Sequence, residues 1–275
     1  MQYELKNRAL VRISGTDAEE FLQNQLSNDI SKLESANIQF NAYCQHQGKM
    51  IALFWVMRFQ NSFLLSFPID LLEKIVSRLQ MFVIMSEVNI EDVSKSFIQI
   101  GLLDEAHSKG YLINEHMSLL IVSKKSDKDE IMSDDDEWSK ACIDNNIPEV
   151  FLMTSEKLLP QMLNLDIDEF GVNFSKGCYP GQEVVARLHY LGESKRRLYS
   201  FMSESEMQVG DNLYCASSKA AKARGSRYKG SGIVVNKVKY HSKFHCLATL
   251  DADLLSDKIT LNNEHGPILN IINYE

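Results

Sequence analysis

The stretch Lys176-Gly177-Cys178-Tyr179-Pro180-Gly181-Gln182-Glu183 sets one cysteine in a glycine-flanked turn that runs directly into an amphipathic segment, Val184 to Tyr190. This spacing predicts a turn followed by a helix, with the Cys178 thiol at the helix N-terminus. The unpaired N–H groups of a first helical turn and the helix dipole favour a thiolate there, and Lys176 and Arg187 add positive charge, so Cys178 is a candidate reactive cysteine. A free cysteine reads equally as a small buried hydrophobe, and the residues alone leave both readings open.

Before this turn, strand and helix signals alternate in short units. Residues 9–14 (ALVRIS) alternate as a strand does, and Thr16 and Glu19, spaced as a capping box, introduce a helix from Asp17 to Leu26. Residues 38–44 read as a strand, and 50–67 as two strands parted at Arg58, Gln60 and Asn61. Pro68 to Gln80 carries a helical apolar stripe, and Val83 to Val93 returns to strand. A second unit begins near Phe97 and runs through Ser118–Ser123 into an acidic stretch, Asp127 to Glu137, where Ser133 reads as a helix cap. Beyond Leu198 only short β-rich runs remain. The expected fold class is α+β: a first unit over 1–95, a second over 96–197 carrying the cysteine turn, and a C-terminal β-barrel domain over 198–275.

Composition narrows the function class. Hydrophobic residues at 44% and charged residues at 24% exclude a disordered or fibrous chain. The most apolar stretch, Met50 to Phe67, is interrupted by Arg58, Gln60 and Asn61, so no membrane span is expected, and the first residues show no secretory pattern. Five scattered cysteines, odd in number and without a C-x-x-C pair, argue against a disulfide framework and against a preformed metal site, and point to a reducing cytoplasm. The formal charge of −8 conceals an asymmetry: residues 171–250 hold thirteen Lys and Arg against five Asp and Glu. An anionic partner on the C-terminal side is the expected consequence. The loop 216–232, with five cations and no acid, is a candidate contact for RNA phosphates and equally a solvated loop.

The string KGCYPGQEVVAR resembles the K-G-C-Y-x-G-Q-E signature of the YgfZ family of folate-binding proteins, relatives of the glycine-cleavage T-protein. The stretches 13–30, 41–50 and 160–197 are similar to that family in its order and spacing. The resemblance implies two ferredoxin-like units and a β-domain in a ring around a channel for tetrahydrofolate or a one-carbon derivative of it. It also implies a link to iron–sulfur enzymes or their assembly proteins and, through them, to tRNA modification. Cys178 would be the essential, candidate catalytic thiol, with Lys176, Gly177, Tyr179, Gly181, Gln182, Glu183 and Arg187 shaping its turn. The Gln182 and Glu183 side chains read equally as helix caps.

A pteridine ring asks for a carboxylate, a flat wall and outer cations. Asp144, upstream of Ile147-Pro148, stands where the relatives carry an acidic ligand, and reads equally as a helix-surface acid; Trp138 offers a stacking wall. Arg8 stands where a YgfZ-like tryptophan is expected, and a guanidinium can stack on a ring or pair with a carboxylate. Aminomethyltransferases carry a carboxylate after the turn that here reads Gly48-Lys49-Met50-Ile51-Ala52-Leu53, and no acid is present, which argues against aminomethyl transfer. Two other function classes stay open at this point: a folate-dependent one-carbon transferase using Cys178 as nucleophile, and a non-catalytic RNA-binding module.

Overall fold

Short apolar alternations in the first half of the chain build two antiparallel sheets in the computed structural model, which describes residues 1–104, 110–124, 135–192, 194–218 and 230–272. The N-terminal strand β1 (Gln2–Glu4) does not join its neighbours in sequence. The next elements are β2 (Arg8–Ser14), α1 (Ala18–Gln25), β3 (Gln39–Cys44), β4 (Met50–Phe59), β5 (Ser62–Pro68), α2 (Leu72–Gln80) and β6 (Asn89–Asp92). They form a five-stranded sheet of order β3-β4-β5-β2-β6, in which Arg8 stands opposite Pro68. In β4 every residue from Met50 to Met57 is buried, because the strand lies inside the sheet with both faces covered.

The second sheet has the order β1-β7-β9-β8, made with β7 (Phe97–Leu103), β8 (Tyr111–Leu112) and β9 (Met117–Ser123). Its first strand comes from the chain's N-terminus, Tyr3 pairing with Gly101. Helix α3 (Asp136–Asp144) lies on this sheet with the Trp138 ring flat on Gly101, where an added Cβ would meet the ring at 2.4 Å. Ser133 and the rest of 125–134 lie outside the described residues, and the helix is capped at Asp135.

After α4 (Gln182–Leu191) come β10 (Arg196–Ser203), β11 (Asn212–Tyr214), β12 (Gly232–Tyr240), β13 (Lys243–Asp251), β14 (Ile259–Leu261) and β15 (Ile268–Ile271). These six close into a barrel of order β10-β13-β12-β11-β14-β15. Strand alternation sorts its side chains: Cys246, Ala248 and Leu250 fill the barrel, while Leu247 between them joins the core shared with the sheets. The α+β class and the C-terminal barrel are therefore as the sequence predicts.

Local details differ. The predicted capping box at Thr16 does not form, because Thr16 donates to Glu87 at 2.9 Å and Asp17 takes the N-cap position. The strand expected over 83–93 shrinks to Asn89–Asp92, and Ile84 and Met85 are exposed.

Candidate functional site

The cysteine turn is built from three parts of the chain that meet in space. The side chain of Lys176 is buried, and its Nζ donates to the carbonyls of Gln23, Leu26 and Asn28 at 2.7, 2.6 and 2.8 Å. These carbonyls lie at and just past the C-terminal end of α1, where a cation is favoured by the helix dipole. Asn173 N–H donates to Ser27 O, and Ser27 Oγ donates to Gly171 O, so the same segment is stitched twice more. The residues after α1 are tied in turn to β3, since Asn28 N–H donates to Asn41 Oδ1 at 2.9 Å. The stretches 13–30, 41–50 and 160–197, which carry the family resemblance in the sequence, are thus one contiguous region.

Gly181 closes the turn against the Gln45–Lys49 hairpin. Its φ is +84°, and a Cβ there would stand 2.4 Å from Gln45 O and 2.8 Å from Gly48 Cα. Only glycine fits both the conformation and the approach. Gly181 is also the N-cap of α4, so Cys178 stands three residues ahead of the cap, on the turn itself, and not within the first helical turn as the sequence suggested. Gln182 turns back, its Nε2 donating to Lys176 O at 3.4 Å. On the far side Phe174 and His189 stack with centroids 3.7 Å apart, which joins the turn's entry to the end of α4.

Cys178 and Gly177 are exposed at the tip, whereas Tyr179 is buried with the Lys176 ammonium 5.6 Å from its ring centroid. Burial lowers Lys176 from its ordinary 10.5 to about 8, with Asp29 opposing. Its positive charge is therefore spent inside the body on α1's carbonyls, and Lys176 is an anchor of the turn. Glu183 and Arg187 are exposed, and with Leu159, Val184, Leu188 and Leu191 they line a surface groove of about 470 Å³.

The other four cysteines are buried. Burial pushes the Cys44 thiol up to about 12 and also raises those of Cys142, Cys215 and Cys246. Competitive alkylation of the folded protein at neutral pH, read peptide by peptide, is expected to label Cys178 at least tenfold faster than any of these four. Equal labelling of a buried cysteine would contradict this.

A second centre lies between the two sheets and the barrel. A cavity of about 430 Å³ is lined by Arg8, Pro68, Trp138, Cys142, Glu149, Phe151 and the β12 residues Asn236 to Lys239, among others. At its base the Arg8 guanidinium lies 3.9 Å above the Trp55 ring. Arg8 Nε donates to Ser66 Oγ at 2.8 Å, and Arg8 Nη1 pairs with Glu149 Oε1. Of the two roles open to a guanidinium at position 8, stacking and pairing, it performs both with protein groups. Glu149 is 7% exposed, and its backbone N–H is held by Asn236 Oδ1 at 2.8 Å. Burial pushes its carboxyl above the ordinary carboxylate range, and the Arg8 charge pulls the other way. Arg8 Nη2 and Glu149 Oε2 are buried and have no hydrogen-bond partner among the described residues.

Asp144 is placed elsewhere. It lies six residues beyond Trp138 on α3, about 240° around the helix, so it faces away from the cavity that Trp138 and Cys142 line. Its carboxylate, 41% exposed, is paired with Lys140 at 2.6 Å. Three acids line the cavity, Asp135, Asp136 and Glu149, and the buried one is Glu149, which sequence reasoning passed over. A signal was present: Glu149 is a lone acid inside the apolar run Ile147-Pro148-Glu149-Val150-Phe151.

The two centres are separate. Met50, at the cysteine-turn end of β4, donates its N–H to Leu158 O, and Trp55 lies under Arg8. The five steps of strand from Met50 to Trp55 span about 17 Å. No residue from 176 to 187 lines the Arg8 cavity. A larger cavity of about 540 Å³, bounded by Asn146, Asn164, Leu198 and Ile271 among others, has none of the partnerless buried atoms found at Arg8 and Glu149.

Among the described residues there is no group of three His, Cys, Asp or Glu placed to hold a metal ion, and no helix long and apolar enough to cross a membrane. Four of the eight described cations of residues 171–250 form ion pairs: Arg196 with Asp251, Arg197 with Asp166, Lys237 with Glu206 and Lys243 with Glu204. Most of the basic loop, residues 219–229 with all five of its cations, lies outside the described residues.

Comparison with known proteins adds three kinds of likeness. The chain is 31% identical over 214 residues to an uncharacterized protein of Haemophilus influenzae, covering 74% of this chain and 75% of that one. It is 28% identical over 266 residues to the tRNA-modifying protein YgfZ of Blochmanniella pennsylvanica, covering 84% of this chain and 80% of the relative. It is 26% identical over 288 residues to the protein of the same name in Aliivibrio fischeri, with 92% and 86% covered. Among solved structures, aminomethyltransferase T of the glycine cleavage system from Bartonella henselae superposes with a TM-score of 0.66. That match covers 99% of this chain and 84% of that one at 10% identity, a likeness of fold. No family model matches the chain.

Proposed function

Because the chain belongs to the YgfZ family and has the fold of the glycine-cleavage T-protein, we propose that it binds tetrahydrofolate, or a one-carbon derivative, and serves tRNA modification. The observation that carries this reading is the Arg8 cavity. It has the volume of a small-ligand site, and the buried Arg8–Glu149 ion pair, Trp138 and Phe151 stand in its wall. Lys239 lines the same cavity and supplies positive charge for the glutamate tail.

Cys178 performs its chemistry apart from this ligand. No residue of the cysteine turn lines the Arg8 cavity, which disfavours a folate transferase with Cys178 as nucleophile on a ring seated there. An exposed thiol on a rigidly anchored turn suits reaction with another protein. We therefore assign it to assembly or repair of iron–sulfur enzymes, through which tRNA modification depends on the protein. Direct RNA contact is not needed in this scheme, and half of the described cations of residues 171–250 are engaged in ion pairs. Five unpaired cysteines suit a reducing cytoplasm.

Calorimetric titration of the full chain with tetrahydrofolate tests the binding claim. Binding is expected for the wild type and, within about twofold, for Asp144→Ala, because Asp144 faces away from the cavity. Absence of binding to the wild type would refute the proposal, and a tenfold loss in Asp144→Ala would put the ring on the other side of α3.

A further inference from the structure

Building on the assignment of Cys178 to reaction with another protein, we propose that the groove along α4 is where that protein docks, through an acidic amphipathic helix laid against Val184, Leu188 and Leu191. Only Val185 of α4 is buried, so a single apolar side chain anchors the helix in the body of the protein. Val184, Leu188 and Leu191 fall within about 60° of one another around the helix axis. This stripe is left uncovered, with Val184 39% and Leu191 81% exposed. Leu159 lines the groove with them, and Gly48 touches both sides, since a Cβ there would stand 3.1 Å from Val184 Cβ and 3.4 Å from Leu159 Cδ2. The stripe ends at Gly192, where the chain leaves helical geometry. An apolar stripe rimmed by charge and covered by nothing in its own fold is the pattern of a contact surface.

The charges around the groove select the partner. Arg187 lines it, Lys49 follows Gly48, and Lys157 stands two residues before Leu159; none of the three forms an ion pair among the described residues. Glu156, beside Lys157, is committed to Lys74 at 3.0 Å, and Glu183 is the one acid that lines the groove. On a chain whose formal charge is −8, this rim is locally positive. It attracts an acidic segment and disfavours a second copy of this chain, which would bring the same cations face to face. No strand lines the groove, so an extended peptide finds no edge to pair with, whereas a helix needs only an apolar stripe of matching period. The N-terminal end of the groove is the Cys178 end, because Gly181 joins the turn to α4. A helix seated there presents the segment beyond its own end to the thiol.

The test is fluorescence anisotropy of the full chain with labelled helix-forming peptides of about 15 residues. One carries Leu at every third or fourth position and Glu on both flanks, a second has Lys in place of Glu, and a third is the acidic peptide scrambled to remove the stripe. The wild type is expected to bind the acidic stripe peptide roughly tenfold more tightly than either control, and less tightly as salt rises. Leu191→Asp, at a position too exposed to hold the fold together, should weaken that binding by about tenfold or more. Lys157→Glu combined with Arg187→Glu should transfer the preference to the Lys peptide. Absence of binding to the acidic peptide, equal binding of all three, or unchanged binding by Leu191→Asp would overturn the inference. So would loss in Leu191→Asp of a concentration-dependent dimer, or of binding to phosphatidylglycerol vesicles, since either would give the stripe to a second copy or to a lipid surface. Rescue of a deletion strain separates this inference from the thiol reading. Rescue by Leu191→Asp but not by Cys178→Ala would overturn the groove alone, whereas rescue by Cys178→Ala would overturn the thiol reading and leave the groove to the peptide measurement.

Discussion

Cys178→Ala is expected to abolish rescue of a deletion strain, scored by the activity of iron–sulfur enzymes and by modified nucleosides in tRNA, while leaving the protein folded. The side chain is exposed on a turn whose conformation is held by other residues: Lys176 below it, Gly181 behind it, and the Phe174–His189 stack beside it. Removing an exposed sulfur should change stability by less than about 0.5 kcal/mol. Tetrahydrofolate affinity should be unchanged as well, because no residue of the turn lines the Arg8 cavity. Loss of rescue with stability and affinity kept would assign the loss to the thiol. Full rescue would reduce Cys178 to a passive turn residue.

Lys176→Met is expected to produce the largest loss of stability in the cysteine turn. The substitution keeps the stem's volume but leaves the carbonyls of Gln23, Leu26 and Asn28 without their shared donor. Two or three buried acceptors left unmatched should cost about 2–5 kcal/mol, measured by denaturant unfolding at pH 7. A pH series separates this from a simple packing defect. Lys176 has a native value of about 8 against an ordinary 10.5, so between those pH values the unfolded chain binds the extra proton. Wild-type stability gains relative to the variant as pH rises through 8 toward 10, and below pH 8 the difference is constant. A flat difference across that window, or a variant as stable as the wild type, would remove Lys176 from the anchoring role.

What the sequence made legible was local. A cysteine between glycines before an amphipathic run predicted the turn and α4, because both depend on neighbouring residues. Short apolar and alternating runs predicted β2, β3, β4, β5, β7, β9 and, in the barrel, β12, β13 and β15 for the same reason. The role of Lys176 was not legible: its acceptors lie 148 to 153 residues upstream, so the sequence offered only a charge next to a cysteine. Glu149 and not Asp144 lines the Arg8 cavity, through geometry that a linear reading underweights. Asp144 shares a helix with Trp138 yet points off its face, whereas Glu149 leaves the helix behind and is carried by Pro148 and Asn236 into the cavity. Short strands such as β6 and β8 escape notice because a few half-exposed residues give no usable period. Arg8 was recognised as a departure from the family pattern, but its partner could be identified only once the two sheets and the barrel were assembled around it.

The separation of ligand and thiol into two centres is tested most directly by a crystal structure of the full chain soaked with tetrahydrofolate. The ring is expected in the cavity that Arg8, Glu149 and Phe151 line, with its tail toward Lys239 and with Cys178 out of contact. A ring seated against the Cys178 turn, or in the cavity beside Asn146 and Asn164, would contradict the account.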